Sequence, residues 1–344
     1  MENTGLWKYC SQEQVRDFLL SFCLFGETDW TKEKQTACLY AVSNHIERHY
    51  HPAEIRKRDG TIRHLLVPDR LLMKIQRNIL HHILDQMPVS PYATAYHKGG
   101  GILSNAQVHT GKHKILKLDI KDFFEHILFH HVYRFAFPTI YFPPSAGTLL
   151  THLCCCRDCL PQGAPTSAAI SNLVMKPFDT YMGGWCEARE IRYSRYCDDM
   201  TFSGDFDCGA VIQKAGGFLA AMGFQLNTKK TRIITCHQRQ EVTGLVVNRK
   251  PQVSREYRRR LRQELHYCER FGMRSHLERT HDTRYLPLGE AGIQRYRLSL
   301  LGRINYVLYV NPEDEAFLKA RQKLMGYGEN DDLIKKFRVS RKNT

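Results

Sequence analysis

The 344-residue sequence has no run of eighteen or more apolar residues, the length a helix needs to span a bilayer. Its first residues, Met1-Glu2-Asn3-Thr4, lack the basic-then-apolar order of a secretory signal. Both absences lead us to expect a cytoplasmic chain with no membrane partner. Internal repeats and low-complexity tracts are missing too. Negative charge is comparatively scarce: 35 Asp+Glu stand against 50 Lys+Arg, a formal +15. That imbalance favours a polyanionic partner, because each phosphate neutralised releases counterions. What is present suffices for a real core, with 42% hydrophobic and 11% aromatic residues, so disorder is excluded.

Twelve cysteines are present, but a metal-binding framework is not evident. Cys156 and Cys159 have the two-residue gap of a zinc knuckle. No second pair follows at a suitable distance, although Cys154 and His152 could complete four ligands. The alternative is a set of buried, reduced thiols at Cys154, Cys155, Cys156 and Cys159.

Along the chain, residues 11–50 read as helical, with Ser11 as N-cap and Val15, Phe18, Leu19 and Phe22 at helical spacing. Residues 54–67 read as a basic hairpin turning at Arg56-Lys57-Arg58-Asp59-Gly60. Pro68 opens a helix with Leu72, Ile75, Ile79, Ile83 and Met87 on one face. Residues 88–113 read mostly as loop. Lys114 to Ile120 is apolar enough for a central strand, and a helix is expected at 123–135. Residues 138–165 look irregular. A helix capped by Thr166 or Ser167 should follow and kink at Pro177. Ile191 to Ser203 has a hairpin pattern, 208–223 a helical one ended by Gly223, and 231–235 and 241–248 two more strand patterns. From about residue 252 the sequence becomes helical and basic. The expectation is an α+β fold with an N-terminal helical extension (1–53), a mixed domain (54–251) and a helical C-terminal module (252–344).

The chemistry begins with acids. Asp119 ends an apolar strand, and Asp198 and Asp199 sit in the turn of an apolar hairpin. Carboxylates in such surroundings are costly unless a cation compensates. Three of them converging on two hard divalent ions suit in-line nucleotidyl transfer. Each feature has a plainer explanation: Asp-Asp tolerates turn geometry, and Asp119 could cap the next helix.

The neighbouring motifs decide between these readings. Leu118-Asp119-Ile120-Lys121-Asp122-Phe123-Phe124, Leu160-Pro161-Gln162-Gly163-Ala164-Pro165-Thr166-Ser167 and Arg195-Tyr196-Cys197-Asp198-Asp199 resemble, in order, the first palm motif, the LPQG segment and the YxDD turn of reverse transcriptases. The resemblance implies a right-hand polymerase with fingers and palm over 54–251 and a helical thumb after them. It implies that Asp119, Asp198, Asp199 and the carbonyl of Ile120 hold two Mg2+ ions, with Mn2+ equally suited to oxygen ligands. It implies that Phe124 lies under the incoming sugar and selects deoxynucleoside triphosphates, and that Gln162 contacts the nucleotide. Phe123 fits a core position better. Arg63, on the basic hairpin, is a candidate for the triphosphate and could equally be a solvated strand residue.

A narrower resemblance is carried by Asn105-Ala106-Gln107-Val108-His109 and Val242-Thr243-Gly244, which are similar to the NAxxH and VTG segments of retron reverse transcriptases. Plainer roles are bracing a loop for Asn105 and His109, and a strand bulge at Gly244. The retron resemblance implies a structured non-coding RNA as partner, bound in part through Asn105, His109, Val242, Thr243 and Gly244. Part of it would be copied into single-stranded DNA from an internal guanosine 2′-hydroxyl, with a neighbouring effector protein in anti-phage defence. Intron-derived or abortive-infection reverse transcriptases, and a nucleic-acid-binding antitoxin or scaffold, are the alternatives. In the tail, Arg255, Arg258, Arg259 and Arg262 share a helix face, with Arg270, Arg274 and Arg279 nearby and Arg295, Arg297 and Arg303 on a second helix. This density suits the phosphates of an RNA duplex; the plainer reading is a solvated basic face.

Overall fold

The computed structural model describes residues 7–56 and 60–326. These residues divide into two compact units, one up to Gln238 and one from Arg239. The first unit begins with helices α1 (Gln12–Leu20) and α2 (Lys32–Asn44). Ser11 caps α1 as expected, in a capping box with Gln14. The single helical stretch expected over 11–50 is thus two helices with a loop between them, and Leu19 and Leu39 bury them in the same core as the domain that follows. An antiparallel hairpin follows, β1 (Tyr50–Arg56) and β2 (Ile62–Pro68). Of its expected turn, Lys57, Arg58 and Asp59 lie outside the described residues.

Asp69, not Pro68, caps α3 (Arg70–His82), accepting from the Leu72 amide at 2.9 Å. Leu72, Ile75 and Ile79 are wholly buried along one face, as their spacing requires. Helix α4 (Ile102–Val108) interrupts what reads as loop and precedes strand β3 (Lys114–Asp119). The helix expected at 123–135 is shorter: residues 121–126 form turns and α5 spans Phe129–Phe135. Asp122 has φ +44°, a left-handed conformation that a helix cannot contain. The expected irregular stretch contains α6 (Pro144–Cys154). Pro144 occupies its first turn, where a missing N–H costs nothing. Helix α7 (Ser167–Glu187) runs through Pro177. Strands β4 (Arg192–Tyr196) and β5 (Asp199–Gly204), helix α8 (Cys208–Ala221) and strand β6 (Arg232–Thr235) complete the unit.

One four-stranded antiparallel sheet, in the order β4-β5-β3-β6, organises this unit. The apolar β3 is internal to it, with Ile115, Leu116 and Leu118 buried. Its register sets Asp119 directly opposite Asp199.

The second unit opens with a short hairpin, β7 (Glu241–Val242) and β8 (Leu245–Val246), followed by α9 (Arg255–Phe271), α10 (Met273–Arg279), α11 (Gly289–Val310) and α12 (Glu315–Gly326). The unit therefore begins at Arg239 rather than after Pro251, since the hairpin belongs with the helices. The α+β class expected from the sequence is the class observed. No helix among the described residues is long and apolar enough to cross a membrane.

Candidate active site

Strand pairing brings the acids together before any side chain is considered. Tyr196 pairs with Asp199, so Cys197 and Asp198 form a two-residue hairpin loop. Cys197 takes φ +60°, a conformation usually given to glycine in such turns and one that stores strain in a bulky residue. The turn also reaches β3: the amide of Ile120 donates to the carbonyl of Asp198 at 3.2 Å. Asp119, Asp198 and Asp199 are thus neighbours on adjoining strand ends.

A buried brace underlies the strained turn. Arg195 is fully buried and donates from Nε and Nη2 to the two carboxylate oxygens of Asp179 at 2.8 and 2.6 Å. Its Nη1 donates to the carbonyl of Cys197 at 2.8 Å and to Asn172 Oδ1 at 3.2 Å. Burial works to lower the Arg195 pKa, but the charge and hydrogen bonds of Asp179 hold it above its ordinary value. Tyr193 donates to Asp179 at 2.8 Å. Asp179 and Asn172 come from α7, so this helix carries the turn from beneath.

The electrostatics of the acids are unfavourable as they stand. Burial, then the charge of Asp119, raises the pKa of Asp198; burial, then Asp198, raises that of Asp199. Asp119 accepts from Lys230 Nζ at 2.8 Å through Oδ2, while its buried Oδ1 has no partner. Partial burial opposes protonation of Lys230, yet the bond to Asp119 holds its pKa above the usual value. No three His, Cys, Asp or Glu side chains among the described residues are gathered in metal-holding geometry; Lys230 is the cation on Asp119 in this arrangement. The donor set nevertheless fits a hard divalent ion. It offers carboxylate oxygens only, one of them orphaned, in a place where like charges need compensation. Asp119, Asp198 and Asp199 would hold such an ion, which supplies a lowered pKa to an attacking hydroxyl and charge stabilisation to a leaving group.

A cavity of about 450 Å³ opens beside these acids, lined among others by Arg63, Tyr96, Asp119, Phe124, Gln162 and Lys230. Phe123 is buried against Phe224 and Phe124 is half-buried beside it, and both line the cavity. Gln162 reaches the cavity because its loop is pinned to β2: the Leu66 amide donates to the Gln162 carbonyl at 2.8 Å. Gly163, at φ +122°, lies so close that a Cβ would stand 2.8 Å from the Leu66 carbonyl, so glycine is required. Ile120 lines the cavity too.

The other sequence-derived candidates lie elsewhere. Asn105 and His109 are buried, not available to RNA as expected from the motif; their partners are Thr94, Ser194 and Ser203. Val242 is wholly buried, and Thr243 and Gly244, at φ +46° and +81°, form the turn between β7 and β8 rather than a bulge. On α9, Arg255 and Arg259 are exposed. Arg262 is exposed too and lies over the Phe317 ring, whereas Arg258 is half-buried and donates to Val253 O and Gln252 Oε1. Arg297 is buried, and Arg303 is paired with Glu264, so neither belongs to a solvent-facing basic surface. Cys154, Cys155 and Cys156 are buried and Cys159 half-buried, with burial raising every thiol pKa, that of Cys154 to about 12. His152 is exposed and packs against the Phe129 ring at a tilt of 53°. Sequence reasoning missed Lys230, Asp179, Asn172 and Tyr96. Lys230 is one of many basic residues, and nothing local marks it.

Residues 55–280 match the family described as reverse transcriptase (RNA-dependent DNA polymerase). The chain is 33% identical over 334 residues to the retron Mx65 reverse transcriptase of Myxococcus xanthus, covering 88% of this chain and 74% of that protein. It is 33% identical over 211 residues to the retron Ec86 reverse transcriptase of Escherichia coli, covering 60% of this chain and 65% of the relative, just under two thirds of its length. Among solved structures, telomerase from Candida albicans in complex with a fragment of telomeric RNA superposes with a TM-score of 0.45 at 10% identity, over 90% of this chain and 70% of that one.

The brace yields a direct expectation. Replacing Arg195 by Met should cost about 3–5 kcal/mol in denaturant unfolding, because it strands a buried carboxylate. Adding Asp179→Leu to Arg195→Met should restore part of that loss.

Proposed function

The chain belongs to the retron reverse transcriptases and is an RNA-directed DNA polymerase; from that premise we propose that Asp119, Asp198 and Asp199 form its catalytic centre. The observation that carries this reading is the strand register setting Asp119 opposite Asp199, with an orphaned Asp119 oxygen beside the nucleotide-sized cavity. Reverse transcriptases work with divalent metal ions. Here two Mg2+ ions, or Mn2+, would be held by the three aspartates and the Ile120 carbonyl, with Lys230 leaving Asp119 as they enter.

The chain's own groups then have separate tasks. Arg63 meets the triphosphate with a planar fork suited to phosphate oxygens. Gln162 orients the nucleotide from its pinned loop. The Phe124 ring occupies the space a ribose 2′-hydroxyl would need, so deoxynucleotides are preferred. The template is a structured non-coding RNA that the chain recognises, and priming from an internal guanosine 2′-hydroxyl gives branched, RNA-linked DNA. The same family membership supports an effector protein that would act with this product in anti-phage defence. The helical unit from Arg239 onward serves as the thumb, with Arg255, Arg259 and Arg262 among the exposed α9 arginines that would meet a phosphate backbone.

Asp198→Ala with Asp199→Ala should abolish DNA synthesis in a primer-extension assay while the chain stays folded and RNA-bound; continued synthesis refutes the assignment. Phe124→Val should raise ribonucleotide use relative to deoxynucleotide use at least several-fold, read as the ratio of kcat/KM values. An unchanged ratio removes Phe124 from selectivity.

A further inference from the structure

Asn105 and His109 lie on one side of the catalytic hairpin, in a buried chain of hydrogen bonds whose proton order can be worked out. Ser194 Oγ donates to Asn105 Oδ1 at 2.5 Å. A serine has a single hydroxyl proton, so at its 2.8 Å contact with His109 Nε2 the Ser194 oxygen accepts and Nε2 carries the hydrogen. Burial lowers the His109 pKa to about 3, and the ring is neutral. Nδ1 is therefore bare and accepts from Ser203 Oγ at 2.7 Å. Thr94 Oγ1 stands 3.0 Å from both Asn105 Oδ1 and the Arg195 carbonyl, and the Thr94 amide donates to that carbonyl at 2.8 Å.

The chain of bonds joins three elements. Asn105 lies in α4 and His109 at its end, Ser194 in β4 and Ser203 in β5. Ser194 precedes Asp198 by four residues and Ser203 follows Asp199 by four, so both arms of the hairpin that ends in the acids are tied to one imidazole. A neutral histidine with one donor and one acceptor suits this place. An apolar residue would leave the Ser203 hydroxyl buried without its acceptor and take away the donor to the Ser194 oxygen.

We propose that Asn105 and His109 are positioning residues for polymerisation, which clamp the two arms of the β4–β5 hairpin to α4 and so fix Asp198 and Asp199 opposite Asp119. They act through the protein and touch no RNA. The proposal rests on the polymerase reading of the three acids.

Full-length His109→Ala, His109→Gln, Asn105→Ala and Ser194→Ala chains test it on a generic RNA template with an annealed DNA primer. The measurements are kcat, nucleotide KM, the Mg2+ concentration giving half-maximal rate, Mn2+ affinity by electron paramagnetic resonance without nucleotide, and affinity for the RNA that co-purifies with the wild-type chain. We expect kcat and metal affinity to fall about 10- to 100-fold, as for groups that orient metal ligands, with RNA affinity unchanged and partial recovery in His109→Gln. His109→Ala and Ser194→Ala should be non-additive. Loss of RNA affinity with normal kcat and metal requirement on the generic duplex overturns the proposal in favour of RNA recognition. If His109→Ala is unfolded by circular dichroism, His109→Gln and Ser194→Ala decide; a folded variant of either with unmoved metal affinity also overturns it. Failure of the wild-type chain to extend the generic primer would instead count against the polymerase reading.

Discussion

The charge repulsion among Asp119, Asp198 and Asp199 is the constraint on which the rest of the first unit depends. Three carboxylates on adjoining strand ends repel one another in a partly buried setting, and burial adds to the cost of their charge. The fold answers with rigid support on the side away from the cavity. An antiparallel ladder sets the spacing, the Arg195–Asp179 pair holds the strained turn from below, and the Asn105–His109 chain holds its two arms. A buried ion pair is seldom a net gain in stability over apolar packing. Its use here is to fix the Cys197 carbonyl, and with it the direction of the turn.

That constraint also explains Lys230. A cation is needed beside Asp119, and the ammonium arrives from the segment after α8, whose Asn227 amide donates to the Asp119 carbonyl at 2.8 Å. One contact aligns the strand end and the other compensates its charge. The carboxylate oxygen left without a partner marks where further positive charge is wanted.

Much of this was legible in the sequence, for identifiable reasons. Strand β3 is apolar and ends in Asp119, so its central place followed from pattern alone. Of the Phe123–Phe124 pair, Phe123 is the more deeply buried, although both line the cavity. Gln162-Gly163 could be read as a loop, although only the close approach of Leu66 shows why glycine is obligatory. What could not be read depends on long-range contacts: Asp179 looks like any helix acid until Arg195 meets it, and the segments around Asn105 and Val242 look like RNA-recognition motifs although Asn105, His109 and Val242 themselves are buried. The basic helical unit was half legible. Its charge pattern is real, but Arg258, Arg262, Arg297 and Arg303 are engaged or buried within the unit, which periodicity cannot reveal. Helix boundaries failed where a positive φ at Asp122 or a proline at the start of α6 decided them.

The central claim is that the three acids form a binding site for divalent ions whose occupancy depends on displacing Lys230. Its most direct test is Mn2+ binding followed by electron paramagnetic resonance in the presence of primer–template and a non-hydrolysable deoxynucleoside triphosphate analogue. Two bound ions per chain are expected for the wild type, as in-line nucleotidyl transfer requires, with tighter binding in Lys230→Met and none at this site in Asp119→Asn. Undiminished binding in Asp119→Asn, or no ion bound to the wild-type complex, would contradict the account.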